Sequence, residues 1–436
     1  MARAHARTVY LTYGAGFGFA TRLMWTTYIV FATVELGLDP LQLVLLGTVL
    51  ETTYLLLEIP TGVLADTVSR RLSVVLGVLG SGIAFLILGL SSGFAGAVLS
   101  QVLWGLFATL ESGADVAWLA DEVGEEEAQR LYVVSDQVWH VAAIAGTVAG
   151  VGLAIVAGAR VPVIVGAVVI VLLGVWMAFA MPERGFTKPE RAEGTKRTGQ
   201  FMRTFRGGVA EVRRHHVLGL ILVVALLYGM ASEGWDRLSD LKVVTGVGLD
   251  PAGGTRTFLA LGVLELVTIL LGLGLLTYVK RKVHLHGHAH IARILSVIDA
   301  AMFVAVIVFA LTGNLVVALA TSWIVGGLRS VREPIVTAWV NQGLDPATRA
   351  TVNSMTTQVH AVGEASAGPV LGAIGNRSVP LALVVSGVLR LPALLLYRRA
   401  IRRGTVGTAT PADEDLTLAD DEATGPIEPG GDVVEP

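Results

Sequence analysis

The chain contains no cysteine, which removes disulfides, thiol catalysis and cysteine-held metals from consideration. It is short of charge: Asp, Glu, Lys and Arg make up 15% of its 436 residues, against 53% hydrophobic ones. With a mean hydropathy of +0.67, this balance excludes a soluble globular class. No Gly-Lys dipeptide occurs, so there is no phosphate-binding loop of the ATPase type. Glycine, by contrast, is abundant at 51 residues, and small residues let membrane helices approach closely. The net charge of -3 misleads, because nine acids and no Lys or Arg lie beyond Arg403. The residues up to that point carry 32 basic and 26 acidic side chains.

The apolar runs predict an all-α membrane protein of twelve transmembrane helices. They fall near 8–36, 41–65, 72–92, 95–120, 131–157, 161–181, 216–242, 255–279, 290–312, 315–341, 350–374 and 379–400. Each approaches or exceeds the roughly 20 residues a spanning helix needs, and helix satisfies the backbone in lipid where an open sheet cannot. The first run reads as a span and not as a cleavable signal, because it is long and carries Arg22 in its middle. The expected organisation is a six-helix unit at 1–182, a basic linker at 183–215, a second six-helix unit at 216–403, and an acidic tail at 404–436 expected to be disordered.

Charge sets the expected topology. Arg70, Arg71, Lys280, Arg281, Lys282, Arg398, Arg399 and the basic linker all fall on one side, whereas the opposite loops hold Arg160, Lys242, Arg256 and Arg377. Basic residues in short loops stay cytoplasmic, so both termini are expected inside a bacterial inner membrane. The two units also share a faint likeness. Glu111, Trp118 and Gln137-Val138-Trp139-His140 in the first answer to Arg332, Trp339 and Gln358-Val359-His360 in the second.

The loop between the second and third spans reads Gly62-Val63-Leu64-Ala65-Asp66-Thr67-Val68-Ser69-Arg70-Arg71. Its Gly62, Leu64, Ala65, Asp66, Arg70 and Arg71 resemble the signature loop of the major facilitator superfamily. Thr67 departs from a position that is commonly basic, and Ser69 from one that is commonly glycine. Leu57-Glu58-Ile59-Pro60-Thr61-Gly62 and Ser232-Glu233-Gly234-Trp235-Asp236-Arg237 resemble, within it, the bacterial drug-efflux branch of tetracycline and macrolide exporters. The resemblance implies two six-helix bundles around a central site, and a cytoplasmic gate formed by Gly62, Asp66, Arg70 and Arg71. Asp66 would cap the eleventh helix near Arg349, and Arg70 or Arg71 would pair with Asp121 or Glu122; setting topology is the plainer alternative for the Arg pair. The fifth span lacks the Gly-Pro pair common in proton-driven exporters.

Charges within spans cost about 2.5 to 3.5 kcal/mol each at mid-bilayer, so they are expected to line a watery cavity or to pair. Glu233 with Arg237, and Arg329 with Glu333, are spaced for pairing along one helix face. Glu58 and Asp115 are the expected proton-coupling sites, with Glu51 and Glu111 beside them and Arg22 as the exchanged cation. A static ion network is the alternative. Expected substrate contacts are Arg22, Trp25, Tyr28, Trp139, His140, Glu233, Trp235, Asp236, Arg332, Glu333, His360 and Glu364. Aromatic rings among them would supply flat walls, unless they sit at bilayer interfaces. His140 and His360 are expected at matching positions, as proton relays or simply hydrogen-bonded residues. The alternating His284, His286, His288 and His290 read as a solvated basic loop, not a metal site.

These features point to a secondary transporter, not an enzyme, needing no cofactor or metal and binding no nucleic acid. Its partners are protons, the lipid bilayer and a small-molecule substrate, and it is expected to act as a monomer. Three readings follow: proton-coupled efflux of an amphipathic drug or natural product, transport of a small polar metabolite, and a non-transporting membrane sensor. The last would require a folded soluble domain.

Overall fold

Long apolar stretches punctuated by capping residues give a helical chain. The computed structural model describes residues 2–186, 216–282, 287–342 and 346–404. Most of the expected linker, His284 and His286, and the tail beyond Gly404 lie outside them. Among the described residues, twelve helical passes follow in order. They are α1 (Ala2–Trp25, continued by Tyr28–Val30 and a π-helical turn Phe31–Glu35), α2 (Pro40–Thr67), α3 (Arg70–Leu90) and α4 (Phe94–Glu111 and Ala114–Val123). Next come α5 (Glu125–Ala157), α6 (Arg160–Ala180), α7 (His216–Gly246) and α8 (Thr255–Lys282). The last are α9 (His288–Leu311), α10 (Leu315–Asn341), α11 (Pro346–Arg377) and α12 (Val379–Val388 and Leu391–Gly404).

Ten of these passes are long and apolar enough to cross a bilayer; α1 and α11 are too polar. Both have reasons to tolerate polarity. α1 is wrapped by α5 and α6, and α11 is held between α7 and α2, so neither needs a continuous apolar surface toward lipid. Helix starts are fixed locally. Asp39 and Gln42 form a reciprocal capping box at α2, Ser69 caps α3, Asn314 caps α10 and Ser378 caps α12. The break in α4 follows from Gly113, whose φ of 74° lies in the left-handed region that a β-carbon disfavours.

Helices α1–α6 pack chiefly on one another, as do α7–α12, except that α2 packs most on α11 of the other half. In the first half, a β-carbon at Gly146 or Gly150 of α5 would overlap the carbonyl oxygens of Phe19 and Leu23 on α1. In the second half, Gly229 of α7 and Gly363 of α11 lie as tightly on the His360 and Leu226 carbonyls. These glycines bring paired helices to backbone contact. Gly18 lies against Trp139, and Gly229 against the His360 carbonyl.

The alternating direction of the passes defines two faces. One carries the α2–α3 loop around Asp66, the other the turn at Glu35. Contacts between the halves concentrate toward the second. Leu41 N–H donates to Asn376 Oδ1 at 2.7 Å. Gly372 is pressed onto Leu41 and Val44, Gly375 onto Pro40, and Gly368 onto Thr48. Gly262 of α8 meets Val151 of α5, and Gly253 meets Val30. Toward the Asp66 face α2 loosens: Leu56 is 71% exposed, and nothing lies within 4 Å of a β-carbon at Gly62.

Candidate substrate pathway and coupling network

The halves meet in a layer of ionisable side chains at mid-depth. Arg22 of α1 reaches Glu265 of α8 at 2.6 Å and lies 5.4 Å over the Trp139 ring. On α7, Glu233 pairs with Arg237 at 3.4 Å, as the four-residue spacing predicts. Both side chains rest against α2, where a β-carbon at Gly47 would strike Arg237 Nε and Glu233 Oε1. Gly47 is therefore the notch through which an ion pair of one half docks on a helix of the other. Arg329 departs from expectation. It makes a two-pronged contact with Asp236 of α7, Nη2 reaching Oδ2 at 2.9 Å, and does not pair with Glu333.

Deeper in the second half lies a dry cluster. Arg332 and Asp299, 3% and 1% exposed, pair at 2.9 Å. Tyr397 donates to Asp299 at 2.6 Å, and the Arg332 guanidinium stands 3.5 Å from the Tyr228 ring centroid. Two unlike charges at this depth are tolerable only because each lies in a network of hydrogen bonds.

Two hollows open in the Asp66-side portions of the halves. The first, about 410 Å³, is lined by Tyr10, Tyr13, Phe17, Tyr132, Trp139 and His140, among others. Their rings form a chain, with Tyr10 6.2 Å from Tyr13 and 6.1 Å from Tyr132. Tyr13 donates to Glu111, which places a carboxylate behind the aromatic wall. The second hollow, about 90 Å³, is lined by Tyr228, Arg332, Glu333, Trp339, Thr357 and His360, among others. His360 lies 3.5 Å from Glu364, which also accepts from Ser232 at 3.2 Å. The first hollow is thus aromatic, and the second is mixed, with Arg332, Glu333 and His360 among apolar side chains.

The remaining sequence candidates scatter. Trp25 stacks on Trp104 at 5.6 Å and meets Phe85 and Tyr28 edge-on, so Trp25 and Tyr28 belong to an internal knot. Trp235 is buried against Phe309. Asp115 stands in the first turn of the second piece of α4, beyond the Gly113 break that separates it from Glu111. Glu51 and Glu58 are half-buried on α2, and Glu51 lies within electrostatic reach of Arg237.

At the Asp66 face, Arg70 pairs with Asp121 at 2.5 Å, and Arg71 donates to the Ala178 carbonyl at 2.5 Å. Asp66 is 62% exposed on its side chain and lies 3.8 Å from Arg70. Glu122 accepts the backbone N–H groups of Arg184 and Gly185. Ser69, at the position where the signature has glycine, caps α3 and donates to Glu183 at 2.7 Å. The loop is thereby tied to the ends of α4 and α6 within its own half.

Sequence reading missed Asp240, which lies within electrostatic reach of Glu265 and Arg22. It was discoverable: Asp240 lies inside the 216–242 run and follows Asp236 by one helical turn. Tyr10, Tyr13 and Tyr132 were missed as well. Their signal is the three- and four-residue spacing that puts Tyr10, Tyr13 and Phe17 on one face of α1.

Paired helical halves, a shared layer of part-buried charged side chains and hollows in both halves define a polytopic membrane transporter. The chain belongs to the Major Facilitator Superfamily, whose sequence profile matches residues 11–368. An uncharacterized MFS-type transporter, YxaM of Bacillus subtilis (strain 168), is 26% identical over 126 residues, 29% of this chain. That match covers less than a third, 31%, of the relative's own length. In fold the chain is similar to a mutant of the nucleoside transporter NupG (TM-score 0.71, 11% identity, 90% of this chain and 99% of that one). It is also similar to a bacterial homolog of the human lysosomal transporter Spinster (0.68, 15%, 94% and 99%). A mutant peptide transporter, POT, in complex with alafosfalin is comparable (0.69, 15%, 93% and 96%).

Proposed function

We propose that this transporter exports an amphipathic molecule across a bacterial cytoplasmic membrane in exchange for protons, by alternating access of two six-helix units, 1–182 and 216–403. The observation that carries this reading is the uneven seam. The halves touch closely through α2 and α11 toward the Glu35 face, beside a hollow of about 340 Å³ between Val34, Ala154, Gly253 and Phe258, while the aromatic hollow and the mixed-charge one lie toward the Asp66 face. The basic loops favour the Asp66 face as cytoplasmic, so this arrangement corresponds to a substrate site accessible from inside. Gly62, Asp66, Arg70, Arg71 and Asp121 form the gate that must re-close there. Glu58, Asp115, Glu51 and Glu111 are the proton-accepting candidates, and Arg22 is the cation that exchanges partners between states.

The efflux branch is supported by the resemblance around Leu57–Gly62 and by a 410 Å³ aromatic hollow, which suits a flat, largely apolar molecule. A small polar metabolite is a second reading, favoured by the charge-dense second half and by similarity in fold to transporters named for nucleosides and peptides. One proton falling through about 100 mV supplies about 2.3 kcal/mol, enough for roughly a fifty-fold gradient of a neutral solute.

The test is discharge of an imposed pH gradient in inverted vesicles carrying the protein, screened with tetracyclines, macrolides, nucleosides and dipeptides. Discharge by the first two and not the last two is expected; the reverse favours the metabolite reading. Asp115→Asn should abolish discharge while leaving binding intact, and unchanged discharge removes Asp115 from coupling.

A further inference from the structure

Arg390 is 2% exposed, and its Nε, Nη1 and Nη2 have no hydrogen-bond partner among the described residues. It stands at the break between the two pieces of α12, at mid-depth in the second half. Its guanidinium lies 5.0 Å from the Tyr228 ring centroid, and Arg332 lies 3.5 Å from that same ring. The neighbouring cations are compensated, Arg329 by Asp236 and Arg332 by Asp299. Arg390 is surplus.

We propose that this corner is a subsite for an anionic head group, a carboxylate or a phosphate, on the transported molecule. The proposal rests on the transporter reading above and narrows its substrate class. The head group enters the 90 Å³ hollow lined by Tyr228, Arg332, Glu333 and His360, where it must lie on the Arg332 side, away from the Glu333 carboxylate. Tyr228 separates that hollow from Arg390, and rotation of its ring lets the anion meet the unpaired guanidinium. The apolar remainder of the molecule faces the aromatic hollow of the first half. An unpaired ion in a dry interior is costly to the empty protein, and occupancy relieves that cost.

The experiment is equilibrium binding to the purified full-length protein in detergent, followed by tryptophan quenching and thermal shift at fixed ionic strength. The probes are 2-naphthoate, 2-naphthyl phosphate and the neutral 2-naphthalenemethanol. At least one anion should bind more tightly than the alcohol by about tenfold or more, the effect of a charge-assisted hydrogen bond. Preference for the naphthoate identifies a carboxylate, and preference for the phosphate identifies a phosphate. Arg390→Met should remove the preference and raise the melting temperature of the ligand-free protein, whereas Arg390→Lys should keep the preference. Equal binding of all three probes by the unaltered protein overturns the proposal, as does anion preference that survives in Arg390→Met. A lower ligand-free melting temperature in Arg390→Met overturns it too, because it assigns Arg390 a structural partner. No gradient is involved, so failure here is separable from failure of transport in vesicles.

Discussion

Gly47→Ala tests how the charge layer holds the halves together. The added methyl carbon would occupy the space of Arg237 Nε and Glu233 Oε1, so α7 cannot keep its place on α2 unless the pair shifts. Overpacking of this kind costs about 1 to 3 kcal/mol. The Glu233 side chain is only 2% exposed, which leaves the displaced carboxylate little water and puts the cost toward the upper end. The strain falls on the arrangement that presses α7 against α2, so the equilibrium should move toward opening at the Glu35 face by about 5- to 150-fold. The chain's lack of cysteine makes the assay simple. A single Val44→Cys, at a position with 0% exposure, reports opening through its rate of maleimide labelling in detergent. Gly47→Ala should accelerate that labelling by the stated factor. A cysteine at Val74, 1% exposed and inside the first half, should label no faster. Unchanged labelling at position 44, in a variant that keeps its melting temperature, would refute the notch.

Asp299→Asn should destabilise the protein by about 3 to 5 kcal/mol, since it leaves Arg332 buried without its counter-charge; the double change with Arg332→Met should recover most of the loss, read by thermal unfolding in detergent. Ser69→Ala should cost about 1 to 2 kcal/mol, because it removes both the α3 cap and the hydroxyl that holds Glu183. Ser69→Gly should cost less than Ser69→Ala, and the opposite order in the same unfolding measurement would contradict the capping role.

The fold was legible because hydrocarbon imposes a coarse rule: ten of the twelve runs satisfy it directly, and α1 and α11 follow from their packing against other helices. The pairing of charges was legible only within a helix. Glu233 and Arg237 are one turn apart and do meet, but Arg329 prefers Asp236 across α7 and α10, a choice made by helix packing that no spacing reports. Arg22 likewise finds Glu265 through the meeting of α1 and α8. Aromatic residues were the least legible. Trp25 and Trp139 look alike in the sequence, yet one is sealed in a knot with Trp104 and the other lines a hollow. Burial separates them, and burial depends on which helices are neighbours.

A cross-link between Val44→Cys and Gly372→Cys tests alternating access most directly. A β-carbon at position 372 lies 3.2 Å from Val44 Cβ, close to the roughly 3.5 to 4.5 Å a disulfide needs. The pair spans the two halves where they are pressed together. Oxidation should halt substrate-dependent discharge of a pH gradient, and a reductant should restore it. Full transport with the disulfide formed would show that the halves need not part at the Glu35 face, contradicting the account.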